Sequence, residues 1–183
     1  QNFLNKHKPF NCDLDLIEIN TLENVGFQEI AAAFNDAFAD YFISIQFTAE
    51  HLEIKFAHED GKLALSVGAF ENGQLVGFIL HFEDIIEGKK VDYNGRTGVR
   101  VAYRGNQLTS KMYEYLFPKL KELAIEKLVL EVINENHSAS KIYHQLGFKT
   151  IREVECFKGK LNSVPLKRLE TPYKIVEFEQ HDW

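Results

Sequence analysis

At residues 99–109 the chain reads VRVAYRGNQLT. The stretch is typical of a strand that runs through a tight polar turn into a helix. Such a turn leaves backbone N–H groups unpaired at the positive end of the helix, where a phosphate or pyrophosphate can bind. An ordinary capped connection has the same pattern, so the turn alone does not decide a function.

A second strand, KLVLEVIN at residues 127–134, follows the helix that begins in this turn. A strand, a helix and a second strand in this order form a right-handed crossover, which makes the two strands parallel neighbours. Ligands of open α/β sheets bind at the carboxyl ends of such strands, which is where the turn lies. The crossover therefore predicts an α/β fold with a ligand site at this end of the sheet.

The rest of the chain extends this order in both directions. Asn72-Gly73 between two apolar runs is a strong hairpin signal, because both residues tolerate positive φ. Pro118 predicts either a kink in the long helix or an end near Phe117. The predicted strands are 14–19, 65–70, 75–82, 91–101, 127–134 and 149–157, and the predicted helices are 22–41, 49–58, 103–124 and 138–146.

A third feature is NHSASKIYHQLGF at residues 136–148, which reads as a short helix closed by Gly147. Tyr143 lies two helical turns after Asn136. Taken alone, such a tyrosine is more often a core residue than a catalytic one.

Together these motifs resemble the GNAT acyltransferases. Tyr103-Arg104-Gly105 leads into a helix, and about thirty residues later an Asn-x-x-Ala-x-x-x-Tyr-x-x-x-Gly-Phe pattern runs from Asn136 to Phe148. The resemblance covers roughly residues 14–157. It implies an α/β fold with a GNAT-like mixed central sheet of six to seven strands, helices on both faces, and a splay between strands four and five.

The resemblance also implies a cofactor, acetyl-CoA (coenzyme A), and no metal. Val99 and Val101 would offer backbone groups to the pantetheine arm, and Asn136 would order the far side. The pyrophosphate would be held by the turn residues Arg104, Gly105, Asn106, Gln107, Leu108 and Thr109. The family usually has small residues where this chain has Gln107 and Thr109, and larger side chains there could narrow the site.

The implied reaction is N-acetyl transfer, in which a primary amine attacks the thioester directly within a ternary complex. Tyr143 is the candidate general acid for the departing thiolate. Glu83 is the first candidate for the general base, and Asp84, Asp92 and His81 are the others. Residues of this kind are more often solvated strand residues than bases.

The partner implied by the resemblance is a small-molecule or peptide amine, and a homodimer is possible. The aromatic residues Phe38, Tyr41, Phe42 and Phe47 could wall an acceptor pocket, although at helical spacing they more often belong to a core. A non-catalytic acyl-CoA-binding or regulatory module of the same fold is the rival function.

The composition of the chain limits which partners and locations are expected. The 183 residues suit one domain, and a net charge of -6 argues against a general nucleic-acid partner. Cys12 and Cys156 are too few for a disulfide framework, and no apolar run is long enough for a membrane span. We therefore expect a cytoplasmic protein with no membrane role.

The domain prediction places one acyltransferase domain at residues 1–160 and a linker-like segment at 161–172, which contains Pro165. Residues 173–183 alternate like a strand. They are either a seventh strand of the same domain or the start of a truncated second domain.

Overall fold

The computed structural model describes residues 16–86 and 88–157. Within these ranges the chain forms the five strands of one sheet and four α-helices, and a 3-10 helix at Val101–Tyr103 precedes the third α-helix. The strands are β1 (Ile17–Thr21), β2 (Val67–Glu71), β3 (Gln74–Ile86), β4 (Lys89–Val99) and β5 (Lys127–Leu130), and the helices are α1 (Phe27–Ala37), α2 (Ala49–His58), α3 (Leu108–Glu122) and α4 (His137–Gln145).

The strands lie in the order in which they occur in the chain, β1-β2-β3-β4-β5. The first four are antiparallel, and β5 is parallel to β4, as the crossover through α3 predicts. The β2–β3 hairpin turns at Asn72 and Gly73, whose φ angles are 49° and 78°. Both residues therefore adopt the left-handed conformation that their sequence favours.

Each face of the sheet carries its own apolar core, because successive strand residues point to opposite faces. Phe78 of β3 packs with Phe34 of α1 and with residues of α2. Its neighbour Ile79 packs with Met112 and Leu116 of α3. The mixed α/β architecture with helices on both faces is thus confirmed, and the sheet of the described residues has five strands rather than six or seven.

Several element boundaries differ from the predicted ones. The predicted helix at 22–41 is shortened to α1, because the Leu22 backbone N–H bonds to the Ser66 carbonyl oxygen and the chain turns before Gly26. The helix predicted from 103 begins only at Leu108, since Gly105 and Gln107 have positive φ. Pro118 lies inside α3, so the helix continues through the proline instead of ending before it.

The predicted final strand at 149–157 is not formed, since residues 150–157 contain neither helix nor strand. Alternating side chains favour a strand only where a neighbouring strand accepts its backbone hydrogen bonds. Of the described residues, those up to 149 form one compact unit, and residues 150–157 belong to another. The segments predicted at 161–172 and 173–183, and Cys12, lie outside the described residues.

Candidate active site

The site begins where β4 and β5 separate. Their parallel pairing runs from Val91 opposite Lys127 to Asn94 opposite Leu130 and ends there, whereas β4 continues to Val99. Among the described residues no strand pairs with this last part of β4 on the β5 side. We call residues 95–99 the open edge of β4. Within it, the Gly95 carbonyl oxygen accepts from Arg96 Nη1 at 2.6 Å, and the Val99 carbonyl oxygen accepts from Arg104 Nε at 3.4 Å. The remaining backbone groups that face the β5 side can bind a ligand that pairs as a strand would.

The turn after the open edge leads to backbone amides that no side chain caps at the start of α3. The first N–H groups of a helix have no acceptor within it, and the Gln107 side chain does not cap this helix. Gln107 itself has a left-handed backbone, with φ 59° and ψ 21°. The Asn106 side-chain amide donates to the Tyr103 carbonyl oxygen at 3.0 Å, which holds the turn. The predicted pyrophosphate turn thus has the uncapped helix end that an anion requires.

Two arginines connect this turn to the end of α1. The Arg104 guanidinium donates two bonds of 2.7 Å to the Asp40 carboxylate and one of 2.8 Å to the Ala37 carbonyl oxygen. Hydrogen bonding from Arg104 lowers the pKa of Asp40. Arg100 lies beside Asp36, with Nη1 3.3 Å from Oδ2. Arg104 Nε also donates to the Val99 carbonyl oxygen at 3.4 Å, so this side chain connects the end of α1 with the open edge of β4.

Asp36 also accepts a hydrogen bond from the backbone of Val101, one of the two residues predicted to contact the pantetheine arm. The Val101 N–H donates to Asp36 Oδ1 at 3.1 Å. Val101 belongs to the 3-10 helix and not to β4, so of the two predicted pantetheine contacts only Val99 lies on the strand.

Tyr143 of α4 lies beside β4, near the point where the strands separate. Its ring meets the Tyr113 ring edge-on, with centroids 6.2 Å apart, and also contacts Phe148. Burial raises the pKa of Tyr143, and hydrogen bonds from Thr97 and Asn94 act in the opposite direction. The phenol is thus held in its protonated, proton-donating form at neutral pH.

Asn136 has a structural task in this arrangement. Its side-chain oxygen accepts a 3.2 Å bond from the Ala139 N–H and so caps α4. Because α4 carries Tyr143, Asn136 fixes the start of the helix that positions the phenol.

The four candidate bases lie at different places. Glu83 is opposite Asp92 in the β3–β4 register and lines a groove with Lys119 and Glu122 of α3, whereas Tyr143 contacts β4 at residues 94–97. Asp84 accepts the N–H of Ile85 and is exposed. His81 Nδ1 and Asp92 Oδ2 are 2.6 Å apart, and both side chains are fully buried.

Comparison with known proteins identifies the fold and the family. The sequence model of the acetyltransferase (GNAT) family matches residues 27–148, which is more than half of the chain. The chain belongs to the GNAT family. The resemblance found from the two motifs is therefore confirmed, and with it the class of enzyme, an acetyltransferase.

One curated relative of this GNAT chain shows a distant similarity. N-alpha-acetyltransferase 30 of Dictyostelium discoideum is 29% identical over 86 residues, which are 47% of this chain and 46% of the relative. The chain thus aligns with about half the length of that curated relative.

Solved structures that share this fold include the following two examples. One is an aminoglycoside acetyltransferase from an uncultured soil metagenomic sample in complex with sisomicin, with TM-score 0.63 and 16% identity over 81% of this chain and 98% of that one. The other is the NatC complex bound to Gag peptide and CoA, with TM-score 0.61 and 21% identity over 74% and 86%. At these identities the likeness concerns the fold alone.

The aromatic residues between α1 and α2 are mainly core residues of this GNAT domain. Phe38, Tyr41 and Phe47 pack against the α1 core, and only Phe42 is largely exposed, at 59%. The segment is anchored by Asn35, whose side chain exchanges two 2.9 Å hydrogen bonds with the backbone of Phe47.

Sequence reasoning missed the polar residues that surround Tyr143. Asn94, Thr97 and Tyr113 were not predicted, although Asp92 and Asn94 alternate with apolar or aromatic residues along β4. Two polar side chains on one buried strand face are a signal that could have been used, because buried polar groups need partners.

In the described ranges, 16–86 and 88–157, no helix is both long and apolar enough to cross a membrane.

Proposed function

We propose that this chain transfers an acetyl group from acetyl-CoA to a primary amine by direct attack within a ternary complex. The observation that carries the proposal is the open edge of β4, which has the uncapped start of α3 at one end and Tyr143 beside it. A thioester that carries a diphosphate needs three things from a protein: extended backbone to pair with its amides, backbone N–H groups to bind its phosphates, and a proton donor for the departing sulfur.

Acetyl-CoA fits this set of groups. The amides at the start of α3, at Leu108 and Thr109, and those of Gly105, Asn106 and Gln107 would hold the pyrophosphate, and the backbone of Val99 would pair with the pantetheine arm. The space beside the Gly105 Cα is open, so a phosphate can approach it closely. Val101 would exchange its bond to Asp36 for one to the ligand.

Bound acetyl-CoA supplies the activated carbonyl, and the chain supplies orientation and a proton. Tyr143 would donate its phenolic proton to the departing sulfur. Because burial keeps the phenol protonated, it is ready to do so near neutral pH. No covalent enzyme intermediate is needed in this scheme.

Asp84, Asp92 and His81 stay predictions for the general base, and two glutamates are the first to compare. Glu83 is the candidate from the sequence, and the structure adds Glu131, which follows β5 where the strands separate and hydrogen-bonds Tyr93 of β4. We favour Glu131, because it directly follows the last residue of β5, at the point where the β4–β5 pairing ends. We expect Glu131→Gln to reduce kcat/KM by about 100-fold and Glu83→Gln to leave it within about threefold. The reverse ranking would restore Glu83 as the base.

The acceptor we propose is a small-molecule or peptide amine, most favourably a cationic one. A sisomicin complex and a Gag peptide complex occur among the proteins of this fold. The net charge of -6 favours the approach of cations. A cytoplasmic location and a homodimer remain predictions from the sequence.

The rival function is a non-catalytic acyl-CoA-binding module. It is favoured by Gln107 and Thr109, which stand where the family has small residues. Calorimetry with acetyl-CoA, followed by a thiol-release assay with a panel of aminoglycosides, polyamines and N-terminal peptides, separates the two functions. The enzyme binds acetyl-CoA and releases CoA only with an acceptor, whereas the module binds without release. Absence of binding at millimolar acetyl-CoA would overturn both.

A further inference from the structure

The carboxyl end of the open edge of β4 presents backbone groups on the side away from β3. The Arg100 N–H donates to the Val76 carbonyl oxygen of β3 at 2.9 Å. Backbone groups of an extended strand alternate between its two sides, so those of Val99 and the N–H of Val101 point away from β3. At this height β5 no longer pairs with β4. A ligand that pairs as a strand would therefore meet these two residues.

Both of these backbone positions are bonded to charged side chains. The Val101 N–H donates to Asp36 Oδ1 at 3.1 Å, and the Val99 carbonyl oxygen accepts from Arg104 Nε at 3.4 Å. Asp36 belongs to α1, and Arg104 is bonded to the carboxylate of Asp40, just beyond the end of that helix. The end of α1 therefore supplies or anchors both side chains.

The two aspartates lie where a helix disfavours negative charge. The carbonyl end of a helix carries partial negative charge, and the last turn of α1 contains no basic residue. Arg100 and Arg104 compensate from outside the helix. Arg100 Nη1 donates to Asp36 Oδ2 at 3.3 Å, and Arg104 Nη2 donates to the Ala37 carbonyl oxygen at 2.8 Å. The carboxylates thus do more to hold the β4 segment than to stabilise their own helix.

The bond between Asp36 and Val101 can be exchanged without leaving the carboxylate unpaired. The Asp36 side chain is 40% exposed and Val101 is 48% exposed, so water competes for the bond. Arg100 is anchored independently, because its Nε donates to the Leu75 carbonyl oxygen of β3 at 2.7 Å. A ligand that takes the Val101 N–H therefore leaves Asp36 paired with Arg100.

We propose that Asp36 and Arg104 form a latch, which holds the Val101 N–H and the Val99 carbonyl oxygen until a strand-like ligand displaces the two side chains. The inference rests on the proposed function, in which this ligand is the pantetheine arm of acetyl-CoA. The latch then competes with the cofactor, and the measured affinity is reduced in proportion to the fraction of molecules in which the latch is open. The position of α1 is thereby coupled to cofactor entry.

The first test does not use the cofactor. Hydrogen exchange of the Val101 amide is followed by NMR in the parent and in Asp36→Ala. The bond to Asp36 slows this exchange in the parent, and we expect it to be about fivefold faster in the variant. The Arg100 amide, which bonds to β3, is the internal reference and should exchange equally in both proteins.

Calorimetry with acetyl-CoA is the second test. Asp36→Ala should bind about fivefold more tightly than the parent, because the ligand no longer displaces a carboxylate. Asp36→Asn keeps the shape and a neutral acceptor, so its affinity should lie between the two. It also takes the place of the alanine variant if that protein does not fold. Asp40→Ala, which releases Arg104 from the end of α1, should gain about twofold.

A matched control separates the latch from the overall charge. Glu53 is exposed on α2, and Glu53→Ala removes the same negative charge. Its affinity for anionic acetyl-CoA should stay within about twofold of the parent.

The outcomes distinguish the inference from the proposed function. An affinity of Asp36→Ala that is no higher than that of the parent, or equal gains in Asp36→Ala and Glu53→Ala, would overturn the inference. An unchanged exchange rate of the Val101 amide would do the same. Faster exchange in a set of proteins that do not bind acetyl-CoA would uphold the latch and reject the proposed function.

Discussion

Gln107 is the residue at which the local sequence and the required backbone conflict. Its φ of 59° lies in the left-handed region, which costs a residue with a Cβ about 1–2 kcal/mol. Glycine adopts this conformation freely but loses more entropy on folding. We therefore expect Gln107→Gly to raise the free energy of unfolding by about 0.5–1 kcal/mol, measured by urea denaturation.

The control for this prediction is Gln107→Ala, which retains the Cβ and should not be stabilised. Calorimetry on the same variants addresses the turn itself. Removing the side chain widens the approach to the amides at the start of α3, so Gln107→Gly should bind acetyl-CoA more tightly than the parent. A glycine variant that is less stable than the alanine variant would show that the backbone strain is absent.

Tyr143 is the second residue with a defined expectation. Tyr143→Phe keeps the ring contacts with Tyr113 and Phe148 and removes only the hydroxyl. We expect kcat to fall by about 10- to 1,000-fold while the calorimetric affinity for acetyl-CoA changes little. Unchanged turnover in the folded variant would remove Tyr143 from the mechanism.

At the scale of the elements, α1 packs directly onto β4 because Gly98 has no side chain. A Cβ at Gly98 would lie 2.5 Å from Phe78 Cζ and 3.0 Å from Ala37 Cβ. Gly98→Ala should therefore lower the free energy of unfolding by about 1–3 kcal/mol, as measured by urea denaturation. Gly77→Ala on the neighbouring strand is the matched control, since the nearest atoms are 3.5 Å away. Equal effects of the two substitutions would contradict the tight contact.

The sequence predicted the elements better than the connections between them. The α2 bounds and the hairpin turn follow from local signals, the Thr48 cap and Asn72-Gly73, and the structure confirms both. The start of α3 does not follow, because helical periodicity continues through residues whose positive φ stops the helix. The pairing of Arg104 with Asp40 joins residues 64 positions apart, which no local pattern reveals.

For the site, motifs located Tyr143 and the turn. The polar pattern of β4 indicates that Asn94 needs a partner, but it does not indicate that Tyr113 and Tyr143 lie nearby. Their proximity depends on the β3–β4 bulge and on the packing of α3, and both are tertiary properties. For Asn136 the motif indicated the position of the residue but not its interaction. Its position in the motif was recognised, but its hydrogen bond is to the backbone of its own helix.

At the scale of the whole molecule, buried phenols make stability depend on alkaline pH. Burial, and next the nearby Tyr143, raise the pKa of Tyr113. The folded state therefore keeps a proton that the unfolded state loses above about pH 10. We expect the free energy of unfolding to fall from that pH upward by as much as about 1.4 kcal/mol per pH unit for each such tyrosine.

Tyr113→Phe tests this dependence. The variant should be about 1 kcal/mol less stable than the parent near neutral pH, because it loses the bond from Asn94. Its stability should then decline less steeply with pH, so the difference between the two proteins narrows above about pH 10. Urea denaturation at a series of pH values gives both slopes, and parallel curves would refute the assignment.

The early end of the β4–β5 pairing has a consequence for solubility. The last part of β4 is extended backbone with a neighbouring strand on one side only, so another polypeptide can pair with its free side. Unpaired strand edges of this kind promote aggregation. A bound pantetheine chain would cover this unpaired edge of β4. Concentrated samples should therefore scatter less light when acetyl-CoA is present, quite apart from any turnover.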